Sequence, residues 1–215
     1  MSLTVAVAVL VVAGAVLGFA ADRLSVRWPA HEADYRPRGL DWRTVVLIVT
    51  GAVVFGGLAA RWENDSWSLV LLGTVSAALV ILLATDLNQK VLPDLITLPL
   101  IGLTAAMLLL GWSPLLAGKE LGLYSGIAAG LVAPIFLFIT DRLLRGDLGD
   151  GDLKLAVSIG LLTGITLLVG GLLVASVGFS AVLLVLIAAR RLGLRSAVPF
   201  GPVLIATAFL AMLMA

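Results

Sequence analysis

Cysteine is absent from this chain, and histidine occurs once, at His31. Without thiols there can be no disulfide, no cysteine nucleophile and no thiolate-bound metal or cluster, and a lone imidazole cannot by itself build a histidine metal site. Zinc chemistry and Cys–His or Ser–His catalysis are therefore poor candidates, and neither metal nor cofactor is expected. Charge is equally scarce. Only 13% of the 215 residues are charged and 61% are hydrophobic, where soluble proteins carry about 25% and 45–50%. That is the composition of an integral membrane protein. A net charge of +1, with the basic residues scattered over several loops, leaves no tract for nucleic acid. Internal repeats are also missing, so an inverted-repeat transporter has no support in the sequence.

What the chain does have is long apolar runs, at about 3–21, 44–60, 67–84, 95–112, 121–139, 153–164, 166–188 and 198–214. Most reach the roughly 17–25 residues that a spanning helix needs. The expected fold is all-α and polytopic, with about eight transmembrane helices in a single membrane-embedded domain over 1–215. The stretch 153–188 exceeds one span and is divided at Thr163-Gly164. The run from Leu3 to Ala21 has no basic segment before it and is longer than a signal-peptide core, so it reads as a retained anchor.

Lys and Arg should gather on the cytoplasmic side of such a chain. With the N-terminus outside and eight passes, only Arg61 and Lys119 of the 14 basic residues fall on the outer side. A single pass over 153–188 would move Arg190, Arg191 and Arg195 to the wrong face, so charge favours eight passes with both termini outside. The longest connection, 22–43, is too short and polar to fold around its own core and reads as an interfacial or flexible loop. Trp28 and Trp42 near its ends suit interface anchoring, as do Trp62, Trp67 and Trp112 on the outer side.

Two acidic segments flank apolar runs on the expected cytoplasmic face. Thr85 to Asp94 reads Thr-Asp-Leu-Asn-Gln-Lys-Val-Leu-Pro-Asp, and Asp147 to Leu155 reads Asp-Leu-Gly-Asp-Gly-Asp-Leu-Lys-Leu. A carboxylate at such a boundary is a functional candidate. Asp86 follows directly on the third run, where a helix C-terminus disfavours negative charge; the bland alternative is an ordinary boundary charge. Pro93 and Asp94 suit the start of a helix, which gives Asp94 a structural reading. Gly149 and Gly151 remove side chains on both sides of Asp150 and just before Asp152, so another backbone could approach closely. Asp147 and Asp150 fit an acidic loop, whereas Asp152 stands at the mouth of a helix. Lys154 either snorkels to the interface or orients a phosphate or carboxylate. If Asp86 and Asp152 came within a few ångströms, the two could not easily ionise together and would share one proton. One ionised and one protonated carboxyl is the working state of an aspartyl protease, which needs neither metal nor thiol.

Four segments in order resemble the bacterial type IV prepilin leader peptidases, polytopic aspartyl proteases with a Gly-x-Gly-Asp signature. Gly18 to Pro29 is similar to the family's segment leaving the first helix. Asp86 to Pro99 resembles the segment of the first catalytic aspartate, Leu148 to Leu155 that of the second, and Val198 to Pro202 the Pro-Phe-Gly-Pro start of the last helix. The resemblance implies Asp86 and Asp152 as the catalytic pair, with Gly149, Gly151, Asp94 and Lys154 shaping their surroundings. Pro199 and Gly201 either support the site from the last helix or simply begin that helix.

The implied activity is removal of the basic leader of prepilin-like precursors at the cytoplasmic face of the inner membrane, with membrane lipids as the other partner. Many relatives place a Cys-x-x-Cys domain, associated with N-methylation, after the first helix. Loop 22–43 stands in its place here without cysteine, so peptidase activity is expected and methyl transfer is left open. A peptidase of other, preflagellin-like precursors is the alternative within this class. A transporter lacks intramembrane charges for an ion path, and a non-enzymatic scaffold would tolerate loss of either aspartate.

Overall fold

The computed structural model describes residues 3–28, 39–144, 148–188 and 200–215. Among them are seven helices and no strand: α1 (Leu3–Ser25), α2 (Trp42–Arg61), α3 (Ser66–Gln89), α4 (Asp94–Leu109), α5 (Gly122–Leu144), α6 (Asp150–Ala188) and α7 (Gly201–Met214). Five of these, α1, α2, α3, α5 and α6, are long and apolar enough to cross a membrane, while α4 and α7 are shorter apolar helices. This is a multi-pass membrane protein.

The helices obey the expected runs in the middle and depart from them at the ends. α3 continues past the end of its apolar run at 84 through Asp86 to Gln89, and α1 runs through Asp22 to Ser25. Both extensions are polar turns that neighbouring helices hydrogen-bond, so hydropathy alone does not mark them. α6 runs as one element from Asp150 to Ala188, where a division into two helices at Thr163-Gly164 was expected, so the described residues hold seven helices and not about eight. Gly164 nevertheless leaves helical geometry at φ 65° and ψ 176°, a region essentially restricted to glycine. The break is supported from α5, whose Ser125 Oγ accepts the Ile165 N–H at 2.9 Å. A backbone N–H released from the helical ladder at such a break needs a partner of this kind.

α3 is the hub, in contact with α1, α2, α4 and α7, and α6 packs on α4, α5 and α7. Leu72, Leu79 and Leu82 of α3, Leu47 and Leu58 of α2, and Met212 of α7 are fully enclosed. Val12, Val16, Phe136, Leu173 and Val177 point outward, which suits lipid-facing surfaces. Because lipid is as apolar as leucine, such helices associate through close packing more than through the hydrophobic effect. Glycines supply the closeness. A Cβ at Gly14 or Gly18 of α1 would run into the α2 backbone at Gly51 and Leu47, and one at Gly160 of α6 would meet Ala129 O of α5 at 2.5 Å.

α2 begins with a capping box in which Asp41 accepts the Arg43 and Thr44 N–H groups. Pro93 stands as the N-cap of α4, with Asp94 in the first turn, as the Leu-Pro-Asp reading expected. Trp62 donates its indole N–H to Met212 O at 3.1 Å. Trp67 and Trp112 meet edge to face at 5.7 Å between centroids.

Candidate active site

Three helix ends converge on one point: the C-terminus of α3 and the N-termini of α6 and α7. Asp86 sits in the last turn of α3 and is only 5% exposed. The chain then turns sharply because Lys90 adopts a left-handed conformation, φ 55°, with its N–H bonded to Asp86 O at 2.9 Å. That conformation costs a non-glycine residue roughly 1–2 kcal/mol. It leads the chain directly into Leu92 and Pro93.

Asp152 is half-buried in the first turn of α6, with its N–H bonded to Gly149 O at 3.0 Å. Just upstream, Asp141 of α5 accepts the Leu148 N–H at 3.0 Å, which steadies the approach to that turn. Gly201 opens α7 between the two acids. A Cβ on Gly201 would lie 2.5 Å from Asp86 Oδ2 and 3.4 Å from Asp152 Oδ1. Those two oxygens are therefore no more than about 6 Å apart, and a methyl group where the glycine stands would have to displace the Asp86 carboxylate.

Neither Asp86 Oδ2 nor Asp152 Oδ1 hydrogen-bonds to any described protein group, although both atoms are buried. An unmatched buried acceptor costs on the order of 1–3 kcal/mol, more if charged. Two of them facing one space favour a donor that comes from outside the protein, such as a water or a peptide. The pair is thus suited to binding and activating water beside a carbonyl.

The other expected residues surround the pair at increasing distance. Gly151 packs against the turn after α3, where a Cβ would come 2.7 Å from Leu92 Cβ. Gly149 is exposed, and a Cβ there would lie 3.9 Å from Asp152 Oδ2. Lys154 reaches across to Asp94, with Nζ 2.5 Å from Oδ1, and ties the start of α6 to the start of α4. Both partners are partly exposed, so the ion pair is worth at most about 1 kcal/mol and acts mainly to orient the two helix ends. Asp150 is exposed at the same end. Pro199 and Asp147 lie outside the described residues.

One polar cluster was not anticipated. Asp22 and Ser25 of α1, Thr44 of α2, and Asn88 and Gln89 of α3 form a hydrogen-bonded network behind Asp86. Its only signal in the sequence was the run of polar residues at both apolar boundaries, Asp22-Arg23 and Asn88-Gln89, and nothing in that signal pairs the two.

The chain belongs to the type IV leader peptidase family, whose profile matches residues 73–214, a span that includes Asp86, Asp152 and Gly201. Similar proteins include the prepilin leader peptidase/N-methyltransferases of Burkholderia pseudomallei strains 1026b and K96243, each 33% identical over 164 residues. Each match covers 75% of this chain and 51% of the relative, so the chain spans about half the length of these curated relatives. No solved structure is significantly similar to it.

Proposed function

We propose that this protein is a membrane aspartyl endopeptidase that removes the leader of type IV prepilin-like precursors at the cytoplasmic face of the inner membrane, with Asp86 and Asp152 as its catalytic pair. The observation that carries the reading is the meeting of two buried, unmatched carboxylate oxygens on either side of Gly201 in a chain of the leader peptidase family. The reading concerns peptide hydrolysis alone.

The reaction needs one carboxyl ionised and the other protonated. The ionised carboxylate takes a proton from water as its oxygen attacks the scissile carbonyl carbon, and the protonated one hydrogen-bonds the developing oxyanion. The tetrahedral intermediate collapses as a proton reaches the amide nitrogen and the C–N bond breaks, giving a carboxylic acid and an amine. Burial strengthens each of these electrostatic steps by excluding bulk water.

Eight passes within one membrane-embedded unit fit this site best. α6 and α7 both begin beside Asp86, yet they are consecutive, so the chain must cross and return between Asp152 and Gly201. The break at Gly164 is where it would reverse, and the packing of Gly171 against Thr207 of α7 is consistent with a returning segment. The positive-inside pattern then puts the paired acids on the cytoplasmic face. Exposed Asp150 at that end adds attraction for a basic leader, whereas the charge of Asp94 is met by Lys154.

The test is co-expression with a type IV prepilin-like precursor, following precursor size on a gel. Wild type should shorten the precursor, and Asp86→Asn and Asp152→Asn should each reduce cleavage by at least about 10³-fold, the loss expected when a catalytic group acting as part of a unit is removed. Cleavage that survives either substitution would exclude the pair as the catalytic centre.

A further inference from the structure

Resting on the peptidase reading above, we propose that the buried Asp22–Asn88 network is a positioning device that holds the last turn of α3 so that Asp86 faces Asp152. The network joins three helices at one membrane face. Asp22 is completely buried at the end of α1. Its Oδ2 accepts the Thr44 hydroxyl of α2 at 2.9 Å and lies 3.3 Å from the Arg23 guanidinium. Its Oδ1 accepts the Asn88 side-chain N–H of α3 at 3.3 Å. The same Asn88 amide reaches Ser25 Oγ at 2.6 Å, and Ser25 in turn donates to Asp22 O at 2.9 Å. Arg43 of α2 donates to Asn88 Oδ1 at 3.3 Å, and Gln89 donates to Ser25 O at 2.5 Å.

The geometry of a helix gives this network its consequence. At about 100° per residue, Asn88 projects roughly 200° around the axis from Asp86. The final turn of α3 therefore grips α1 and α2 with one face and offers Asp86 to α6 and α7 with the other. That turn lies beyond the apolar run, and apart from Leu87, which packs against the core, its side chains toward α1 and α2 are held by these hydrogen bonds. After it the chain leaves at once through the strained Lys90, and Leu92 beyond it packs against the core and Gly151. The closest of these bonds from α3 are the two to Ser25, at 2.6 and 2.5 Å, and the longer one to the buried Asp22 carboxylate, at 3.3 Å, adds a third point of attachment. A turn held this way is rigid, and the Asp86 carboxylate needs such rigidity to stay beside Gly201.

The absence of cysteine makes a test possible that does not depend on turnover. Replacing Asp86 and Asp152 together by Cys creates a lone thiol pair, and its rate of cross-linking by a short bifunctional thiol reagent reports how well α3 and α6 are juxtaposed. In that background Asn88→Ala and Asp22→Leu should slow cross-linking by at least about fivefold. Asp22→Asn, which can still accept from Asn88, should recover most of the lost rate. With native aspartates and a cleavable precursor, Asn88→Ala should lower kcat about 10- to 100-fold, the range for a small misplacement of a reacting group, and leave KM within about twofold. Unchanged cross-linking in Asn88→Ala, or a rise in KM with kcat intact, would overturn the proposal. Should Asn88→Ala fail to accumulate in membranes, the milder Ser25→Ala carries the same expectations. If wild type cleaves no precursor, the peptidase reading fails, while cross-linking still decides whether the network positions α3.

Discussion

Gly201 illustrates how much chemistry can rest on a missing side chain. In an ordinary helix, alanine would be more favourable than glycine by up to about 1 kcal/mol, so α7 forgoes some stability at its own first residue. In return its backbone comes close to both carboxylates. The atom that an added methyl would strike is Asp86 Oδ2, the mobile tip of a side chain rather than backbone. Gly201→Ala should therefore leave the fold intact and turn the Asp86 carboxylate away from Asp152. The expected result is a detergent-solubilised protein with unchanged melting temperature and a cleavage rate about 10- to 100-fold lower. A variant that cleaves at the wild-type rate would show that the close approach has no catalytic weight. The two aspartates stood out as candidates because charge at the edge of an apolar run is costly, but that signal left the ordinary boundary reading open and did not pick out Asp22; it was the resemblance that paired Asp86 with Asp152. The closeness of Gly201 to them was not legible, since Pro-Phe-Gly-Pro reads equally well as a plain helix start.

At the scale of elements, the ends of the helices carry the information that hydropathy leaves out. The centres of α1, α2, α3 and α5 follow the apolar runs because lipid demands apolar surface there. The polar turns 22–25 and 86–89 are helical for a different reason: they hydrogen-bond to each other across α1 and α3. Such pairing is a tertiary fact that no single segment displays. The break in α6 was legible, because an apolar stretch as long as 153–188 exceeds the bilayer and contains a glycine near the point where it must stop. Gly164 holds a conformation that costs other residues about 1–3 kcal/mol, and a Cβ there would also come 2.7 Å from Ser125 Oγ and 2.9 Å from Leu116 Cδ2. Gly164→Ala should accordingly destabilise the protein by about 1–3 kcal/mol and lower its melting temperature by several degrees, about 2–4 °C per kcal/mol for a chain of this size. An unaltered melting temperature would mean that α6 can pass through 164 as a regular helix.

For the whole molecule, the site and the topology constrain each other. The ends of α3, α6 and α7 can share one face of the bilayer only if the number of crossings between them has the right parity. In the eight-pass arrangement proposed above, α4 and α5 make one excursion out and back between the end of α3 and the start of α6, and 150–188 makes another before α7 begins. The positive-inside pattern arrives at the same arrangement from charge alone, without reference to the carboxylates. Single cysteines in this cysteine-free chain test the arrangement directly, read by a membrane-impermeant maleimide on intact cells whose outer envelope is opened. Glu63→Cys, Lys119→Cys and Thr166→Cys should label at once, the last because it follows the break at Gly164 on the outer side. Lys90→Cys and Asp150→Cys should label only after the inner membrane is permeabilised, because the proposed topology puts them beside the paired acids on the cytoplasmic face. Labelling of Glu63→Cys and Lys119→Cys without Thr166→Cys would mean that 150–188 crosses once, leaving residues 189–199 to carry the chain back to Gly201 by another route. A fully inverted pattern would put the paired acids outside the cell, where they could not meet a leader still in the cytoplasm.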